Sequence, residues 1–417
     1  MGWVLNLPTE LIIRIFESLD DIDDALHFAR CCKDLHCVFD PLSARFKIFR
    51  SIIARASHHE NDIELSQRVN LYGRFSQDFY ESRRIPSNPT HRKSLVSRYL
   101  NPLDSSEDVP AEFIWDIVCR WQGMRVLYDL YCDPAVNEAY LASTFPNIQT
   151  PPIPDHSEAM ASEPALLPPA GSVCPAFVKM SQRERQKSYQ RFYKAVTRHW
   201  ISVESLWLVR TQFFPSEAEF DEAFERTRDA WTHNPTRPAP EKIDIIEVVD
   251  FVWGFLGRKA FHVSSFPEWR EGLGSIAYDY RDPHETEFDN WEYFLSDILQ
   301  HPRPPHLIEL LLWMWNSSGW RLNRSGFLRR LGLLDAEERI DNDESGSTYI
   351  GSWLETATVE EDLESSFTHV QDVDTFTSQW KEYRSERWPR EARARVFFRN
   401  LTTEELFTQI TGKEILS

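Results

Sequence analysis

The first predicted helix runs from Leu7 to Leu19, because five apolar residues recur within it at the spacing of one helical face. Pro8 suits the first turn of such a helix, where its missing N–H group costs no hydrogen bond. Glu10 lies in the same turn, where a negative charge interacts favourably with the helix dipole. The recurring apolar residues are Leu11, Ile12, Ile15, Phe16 and Leu19.

Two further helices are predicted after an acidic turn. The second runs from Asp23 to Cys32 with Asp23 as its N-cap. The third runs from Lys33 to about Phe46, and helix is expected to continue to Ala56. These helices are too small to hold a stable core alone, yet they carry more apolar residues than one hairpin hides. The pattern therefore predicts a surface that packs on another protein. The apolar positions are Leu26, Ala29, Cys32, Leu35, Val38, Phe39 and Leu42.

Helical apolar patterns continue along the chain, whereas the alternation typical of strands is scarce. A proline-rich loop or insertion at about 145–177 and an acidic segment at about 335–374 interrupt them. No repeat of fixed period is present in the sequence. The predicted fold class is mostly α, with helices packed in pairs. The predicted helical or buried segments are 109–132, 181–214, 215–231, 243–255, 291–299 and 306–315, a charged helix from 370, and a short one after 403.

Composition favours a densely packed, water-soluble chain. Hydrophobic residues make up 41% and aromatic residues 13%, and 15 tryptophans accompany only 14 glycines. A formal net charge of −19 disfavours non-specific binding to nucleic acid. The six cysteines lack the spacing of a disulfide framework. No signal-peptide pattern is present, and no apolar stretch approaches the ~20 residues that cross a bilayer. We therefore expect a cytoplasmic or nuclear protein.

Two groups of residues are candidate metal sites. Residues 341–346 match the first half of a calcium loop, but position twelve of that loop would be Ser352 rather than a bidentate carboxylate. Helical i,i+4 pairs within the second group could bring zinc ligands together, although Cys32 is also expected as a small core residue. The simpler interpretations are an exposed acidic loop for the first group and ordinary buried thiols for the second. No metal or cofactor is therefore predicted. The second group is His27, Cys31, Cys32, His36 and Cys37.

The N-terminal residues resemble the F-box, a motif of three helices, over about Leu5 to Phe46. One departure is the absence of a tryptophan in the third helix, where the sequence reads Lys33-Asp34-Leu35-His36. The rest of the chain resembles fungal F-box proteins that have an unassigned helical C-terminal region. The matching residues are Leu7, Pro8, Glu10, Leu11, Ile15, Phe16, Leu19, Leu26, Ala29, Cys32 and Leu35.

This resemblance implies a subunit of an SCF-type ubiquitin ligase in the ubiquitin-like conjugation pathway. An F-box at residues 1–50 would bind the Skp-type linker and, through it, a cullin. A helical domain at 51–417 would bind an unknown protein substrate, with its recognition surface within 180–417. Such an adaptor is not itself catalytic. The residues expected to contact the linker are Leu7, Pro8, Leu11, Ile12, Ile15, Phe16, Leu19, Leu26, Cys32 and Leu35.

Two alternatives stay open at this point. The chain would act as a scaffold if it binds the linker but joins no ligase. It would be a helical enzyme if its N-terminal hairpin belongs to an ordinary core. Motifs for phosphate binding and for an activated serine nucleophile do not occur in the sequence. A basic stretch at Arg183, Arg185 and Lys187 is a candidate pocket for a phosphorylated target.

Overall fold

The computed structural model describes residues 7–70, 109–142, 168–211, 216–232, 239–257 and 303–315. Eleven helices and no strand lie within these ranges, so the mostly-α prediction is confirmed there. The predicted segments at 291–299 and 335–374, those beyond 370, and residues 145–167 of the proline-rich stretch lie outside the described residues.

Four short helices form the N-terminal part of the chain, where the sequence predicted three. Pro41 divides the predicted third helix, because its ring and missing N–H group end the preceding helix and suit the start of the next. The backbone oxygen of Pro41 accepts hydrogen bonds from Ala44 and Arg45 at 2.9 and 3.0 Å. The helices are α1 Thr9–Glu17, α2 Ile22–Ala29, α3 Lys33–Phe39 and α4 Leu42–Arg55.

The N-cap of α2 is Asp21, and the prediction of Asp23 was wrong. Asp21 has an extended backbone, and its carboxylate accepts a hydrogen bond of 2.7 Å from the backbone N–H of Asp23. This is the bond that an N-cap side chain makes to the second residue of a helix. Asp23 and Asp24 instead occupy the first turn, where their charges still suit the helix dipole.

Longer helices follow a short 3-10 turn at Ser57–His59 and helical backbone over 62–70. They agree with the predicted helices at 109–132, 181–214, 215–231 and 306–315 to within a few residues. They are α5 Ala111–Cys132, α6 Pro134–Ala142, α7 Pro175–Val178, α8 Gln182–Thr211, α9 Glu217–Thr232, α10 Ala239–Val249 with a π-helical continuation at Asp250–Gly257, and α11 Pro304–Trp315.

One face of α5 is apolar and turned toward the core. Six of the seven apolar residues at helical spacing on this face are buried, and the seventh, Val118, is half-buried. Ser181 caps α8 through a reciprocal pair of hydrogen bonds with Glu184. The buried six are Phe113, Ile114, Ile117, Trp121, Met124 and Leu127.

The described residues belong to two compact units. The first comprises Met1–Gly123 and Trp200–Glu225, and the second comprises Met124–His199 and Arg226–Ser417. In the second unit, aromatic rings form the core: the centroid of Tyr131 lies 4.8 Å from that of Phe251. No helix in the described part of the chain combines the length and apolarity needed to cross a membrane.

Candidate protein-docking surface

The helix α1 carries apolar residues on two sides. Ile12 and Phe16 are one turn apart and are 5% and 0% exposed, so they form the side that faces the core. Leu11 is 49% exposed, and Ile15, one turn further on, is half-buried. The apolar excess predicted from the sequence is therefore real, and part of it faces outward.

The outward side of α1 continues through the residues that precede it. Pro8 is exposed and stands at the N-cap, where its backbone oxygen accepts hydrogen bonds from Leu11 and Ile12 at 2.9 and 3.2 Å. Leu7 is half-buried. Because positions 7, 8, 11 and 15 follow helical spacing, these side chains form one apolar strip. We call Leu7, Pro8, Leu11 and Ile15 the α1 strip.

The structure divides the ten residues expected to contact a partner into two groups. Seven are at least partly accessible, and three are buried in the core beneath them. The buried three hold the helices together, and they support the accessible residues from below. The accessible residues are Leu7, Pro8, Leu11, Ile15, Leu19, Leu26 and Cys32, and the buried ones are Ile12, Phe16 and Leu35.

Aromatic rings form a continuous core under the α1 strip. Phe16 contacts Phe28 and Phe39, with ring centroids 4.8 and 5.3 Å apart. Phe39 meets Phe49 edge-on at 5.7 Å, and Phe49 meets Trp115 in the same way at 5.9 Å. Such pairs stabilise a fold beyond the burial of their area. This chain of rings fixes the orientation of α1 against α3, α4 and α5.

The C-terminal end of α1 is held by charge. The carboxylate of Glu17 is almost fully buried and pairs with Arg14 at 3.1 Å and Lys47 at 3.0 Å. The Ser51 hydroxyl donates to the backbone oxygen of Glu17 at 3.2 Å. A buried carboxylate is tolerated only when it is paired in this way. These contacts keep α1 against α4, so the α1 strip is a fixed surface.

A buried polar cluster joins the residues after α4 to α5. Asp62 accepts hydrogen bonds from Arg120 at 2.8 Å and lies 2.6 Å from Nδ1 of His59. Arg120 also donates to Ser66 at 2.8 Å and to Asp116 at 2.5 Å. The side chains of His59 and Asp62 are 0% exposed, so no substrate reaches them. The sequence did not indicate this cluster, because His59, Asp62 and Ser66 lie fifty or more positions from Asp116 and Arg120.

The described residues do not contain a group of three or more potential metal ligands. The zinc alternative at residues 27–37 therefore gains no support there, and Cys31 instead donates a weak hydrogen bond to the backbone oxygen of His27 at 3.4 Å. Residues 341–352 lie outside the described ranges. The N-terminal helices thus offer a rigid apolar surface.

The family profile described as F-box domain matches residues 4–47. These residues contain α1, α2, α3 and the start of α4, so the match coincides with the helices that carry the α1 strip. Residues 4–47 therefore carry an F-box domain. F-box domains in general bind Skp-type linkers in SCF-type ligases. No curated protein and no solved structure gives a significant match to the chain.

Proposed function

We propose that this protein is a substrate receptor of an SCF-type ubiquitin ligase. The F-box domain binds the Skp-type linker, and through it a cullin, and the remaining helical body binds the target protein. The observation that carries this proposal is the α1 strip, an apolar surface on a rigid helix inside an F-box domain. We place the protein in the cytoplasm or nucleus, where its six free thiols would stay reduced.

The energetics of the α1 strip suit a permanent partner. Burying an exposed Leu or Ile side chain contributes about 1.5–3 kcal/mol, and several together offset the cost of association. Leu11 and Ile15 are held in place by the buried Ile12 and Phe16, so little side-chain or backbone freedom is lost on binding. The accessible residues of α2 and α3, Leu26 and Cys32, would extend the contact.

The proposal assigns no catalytic step to this chain. Its contribution to ubiquitin transfer is to hold the target near a ubiquitin-loaded enzyme, which raises effective concentration and orients the reacting groups. The cluster around Asp62 and Arg120 agrees with a structural role, because the side chains of His59 and Asp62 are 0% exposed and that of Arg120 is 4% exposed.

Capture of a Skp-type linker by the full chain tests the proposal. Leu11→Asp, alone and combined with Ile15→Asp, places charge on the α1 strip and is expected to abolish capture. Val173→Asp is the matched control, because Val173 is 44% exposed and lies outside both the F-box domain and the residues expected to contact the linker. Capture should survive in the control.

The melting temperature of each variant separates lost binding from lost folding. Leu11 is exposed enough for Leu11→Asp to leave the fold intact. Capture by a folded Leu11→Asp protein at the wild-type level would rule out the α1 strip as the docking surface. A second measurement asks whether a cullin is recovered with the linker. Linker without cullin would favour a scaffold over a ligase receptor.

A further inference from the structure

The helix α8 carries a basic stripe along the side opposite its buried face. At 3.6 residues per turn, its five basic residues lie within about 80° of one another around the helix axis. The opposite side packs into the core through Phe192, Ala195 and His199, which are at most 2% exposed. The residues of the stripe are Arg183, Lys187, Arg191, Lys194 and Arg198.

The C-terminal half of this stripe binds an acidic helix of the same unit. Arg191 donates two hydrogen bonds to the carboxylate of Asp244, at 3.0 and 2.5 Å. Lys194 donates to Glu241 at 2.6 Å, and Arg198 pairs with the same carboxylate. Glu241 and Asp244 lie three residues apart on α10. The stripe therefore recognises carboxylates at i,i+3 spacing on a helix that runs alongside it.

The N-terminal half of the stripe has no such partner within the part of the chain that the structure describes. Arg183 and Lys187 are exposed, as is Lys179, which follows α7 and precedes α8. None of the three forms an ion pair with a residue in the described ranges. Val178, which adjoins Lys179, is 61% exposed. Three positive charges beside an exposed apolar residue stand out in a chain of net charge −19. We call Lys179, Arg183 and Lys187 the open basic surface.

The third base predicted for this region, Arg185, does not belong to the open basic surface. It lies two positions from Arg183 and two from Lys187, which places it on the other side of the helix. Its guanidinium stacks over the ring of Phe177, 5.4 Å from the centroid. The bases that face outward therefore follow a line along the helix and do not converge on one point.

We propose that the open basic surface docks an acidic helical segment of the target protein, with carboxylates at i,i+3 or i,i+4 spacing. This inference rests on the proposed substrate-receptor function and names the chemistry of its substrate. Charge complementarity and the α8–α10 pairing support it, because the same stripe already holds Glu241 and Asp244 in this way. An apolar residue of the segment would cover Val178.

Spaced carboxylates fit this surface better than one phosphate does. Arg183 and Lys187 are one turn apart, which separates their backbones by about 6 Å along the axis. A phosphate dianion is bound best by donors that converge on it, often through a bidentate arginine. A line of single charges instead matches a line of single carboxylates.

Fluorescence anisotropy with the full-length protein tests this proposal. The probe is a labelled helical peptide of fifteen residues with glutamates at i,i+3 and i,i+7 and leucines between them. Arg183→Glu combined with Lys187→Glu is expected to weaken binding of this peptide by at least about tenfold. The matched control is Arg30→Glu combined with Lys33→Glu, which changes the net charge equally at two exposed bases of the F-box. Binding by the control should stay within about twofold of wild type.

Position 183 lies in the first turn of α8, where the helix dipole favours negative charge, and position 187 is exposed, so folding should survive both substitutions. Arg183→Gln with Lys187→Gln provides a milder variant and should give an intermediate loss. The proposal is overturned if the peptide does not bind wild-type protein, or if the two double-glutamate variants lose binding equally. Binding of a phosphoserine version of the peptide in place of the glutamate version would also overturn it.

Linker capture by the same proteins keeps this proposal separate from the proposed function. The variant with Glu at 183 and 187 should still capture the Skp-type linker, because the α1 strip is unchanged. Peptide binding without linker capture by wild type would remove the ligase role while the acidic-segment surface stands. Linker capture by wild type without peptide binding would leave the ligase role in place and rule out the acidic-segment surface.

Discussion

The helices α1 and α8 differ in what their outward sides present. Both bury apolar residues on one side, Phe16 in α1 and Phe192 in α8. The outward side of α1 is apolar at Leu11, whereas the outward side of α8 is basic. Among the described residues, acidic partners pair with the C-terminal half of that basic side alone. An apolar strip gains from leaving water, and an exposed charged stripe gains from an opposite charge at modest energy. The two surfaces should therefore bind partners of different chemistry.

The largest expected effect separates the two sides of α1. Phe16→Ala removes a ring at the centre of the F-box core and should lower the free energy of unfolding by about 3–5 kcal/mol. Leu11→Ala removes a half-exposed side chain and should cost less than about 1 kcal/mol. Urea denaturation of the two variants measures both. Equal costs would mean that the outward side of α1 is also core.

The next effect concerns the buried side of α8 and depends on pH. His199 is fully buried against Trp253, and burial lowers its pKa from 6.5 to about 3. Between these values the unfolded chain binds a proton that the folded chain does not. The contribution of His199 to stability is therefore fully present above pH 6.5. Below pH 6.5 the free energy of unfolding falls by about 1.4 kcal/mol for each pH unit, which amounts to about 2 kcal/mol at pH 5.

Denaturation at pH 7.5 and pH 5 checks this dependence on His199. The comparison variant is His199→Gln, which keeps a polar side chain but does not titrate. Its stability should change less than that of wild type between the two pH values. An equal loss in both proteins would assign the acid sensitivity to other groups.

A smaller effect tests the difference between the starts of the two helices. Ser181 caps α8 with its side chain, whereas the cap of α1 is Pro8, which makes no side-chain bond. Ser181→Ala should cost about 1 kcal/mol. Thr9→Ala, at an exposed position of α1, should change stability by less than about 0.5 kcal/mol. Urea midpoints of the two variants measure the difference, and a larger loss for Thr9→Ala would contradict it.

The smallest expected effect is that of salt on the affinity of the outward side of α1 for the linker. Raising sodium chloride from about 50 to 300 mM should change linker affinity by less than about twofold, because apolar burial is not screened. The same change should weaken binding of the acidic peptide to α8 severalfold. Titration of both ligands at both salt concentrations gives the comparison directly. Strong salt dependence of the linker would place charge in that interface.

Local patterns explain which parts of this fold the sequence predicted. The apolar spacing of α1 and α5 and the cap at Ser181 depend on residues a few positions apart, so they could be identified directly. The break at Pro41 had a local signal too, since proline ends a preceding helix. The choice of Asp21 over Asp23 as N-cap had weaker guidance, because four aspartates compete within that turn.

The remaining features depend on residues far apart in sequence. The positions of Leu11 and Ile12 in the sequence do not show which of these two neighbouring apolar residues packs inward. The packing of α1 against α3 and α4 determines that Ile12 is buried and Leu11 is exposed. The pairing of Arg191 with Asp244 joins positions 53 apart, and no motif links them. The resemblance of residues 7–35 to a known domain indicated a candidate docking surface. In the helical body, the sequence offered only the basic stretch at Arg183, Arg185 and Lys187 as a candidate.

Hydrogen bonds join the chain before and after most of the proline-rich stretch. Cys174 donates its backbone N–H to the oxygen of Cys132 at 2.9 Å, and Gly171, with a φ of 68°, donates to the carboxylate of Asp133 at 3.1 Å. The chain between Cys132 and Cys174, which contains α6 and most of the proline-rich stretch, therefore begins and ends at one place. Loop-closure entropy grows slowly, by about 0.6 kcal/mol for each doubling of length. Changes of length between α6, whose Val136 and Tyr140 are buried, and Gly171 should therefore cost little energy, and an experimenter can insert a fluorescent reporter there.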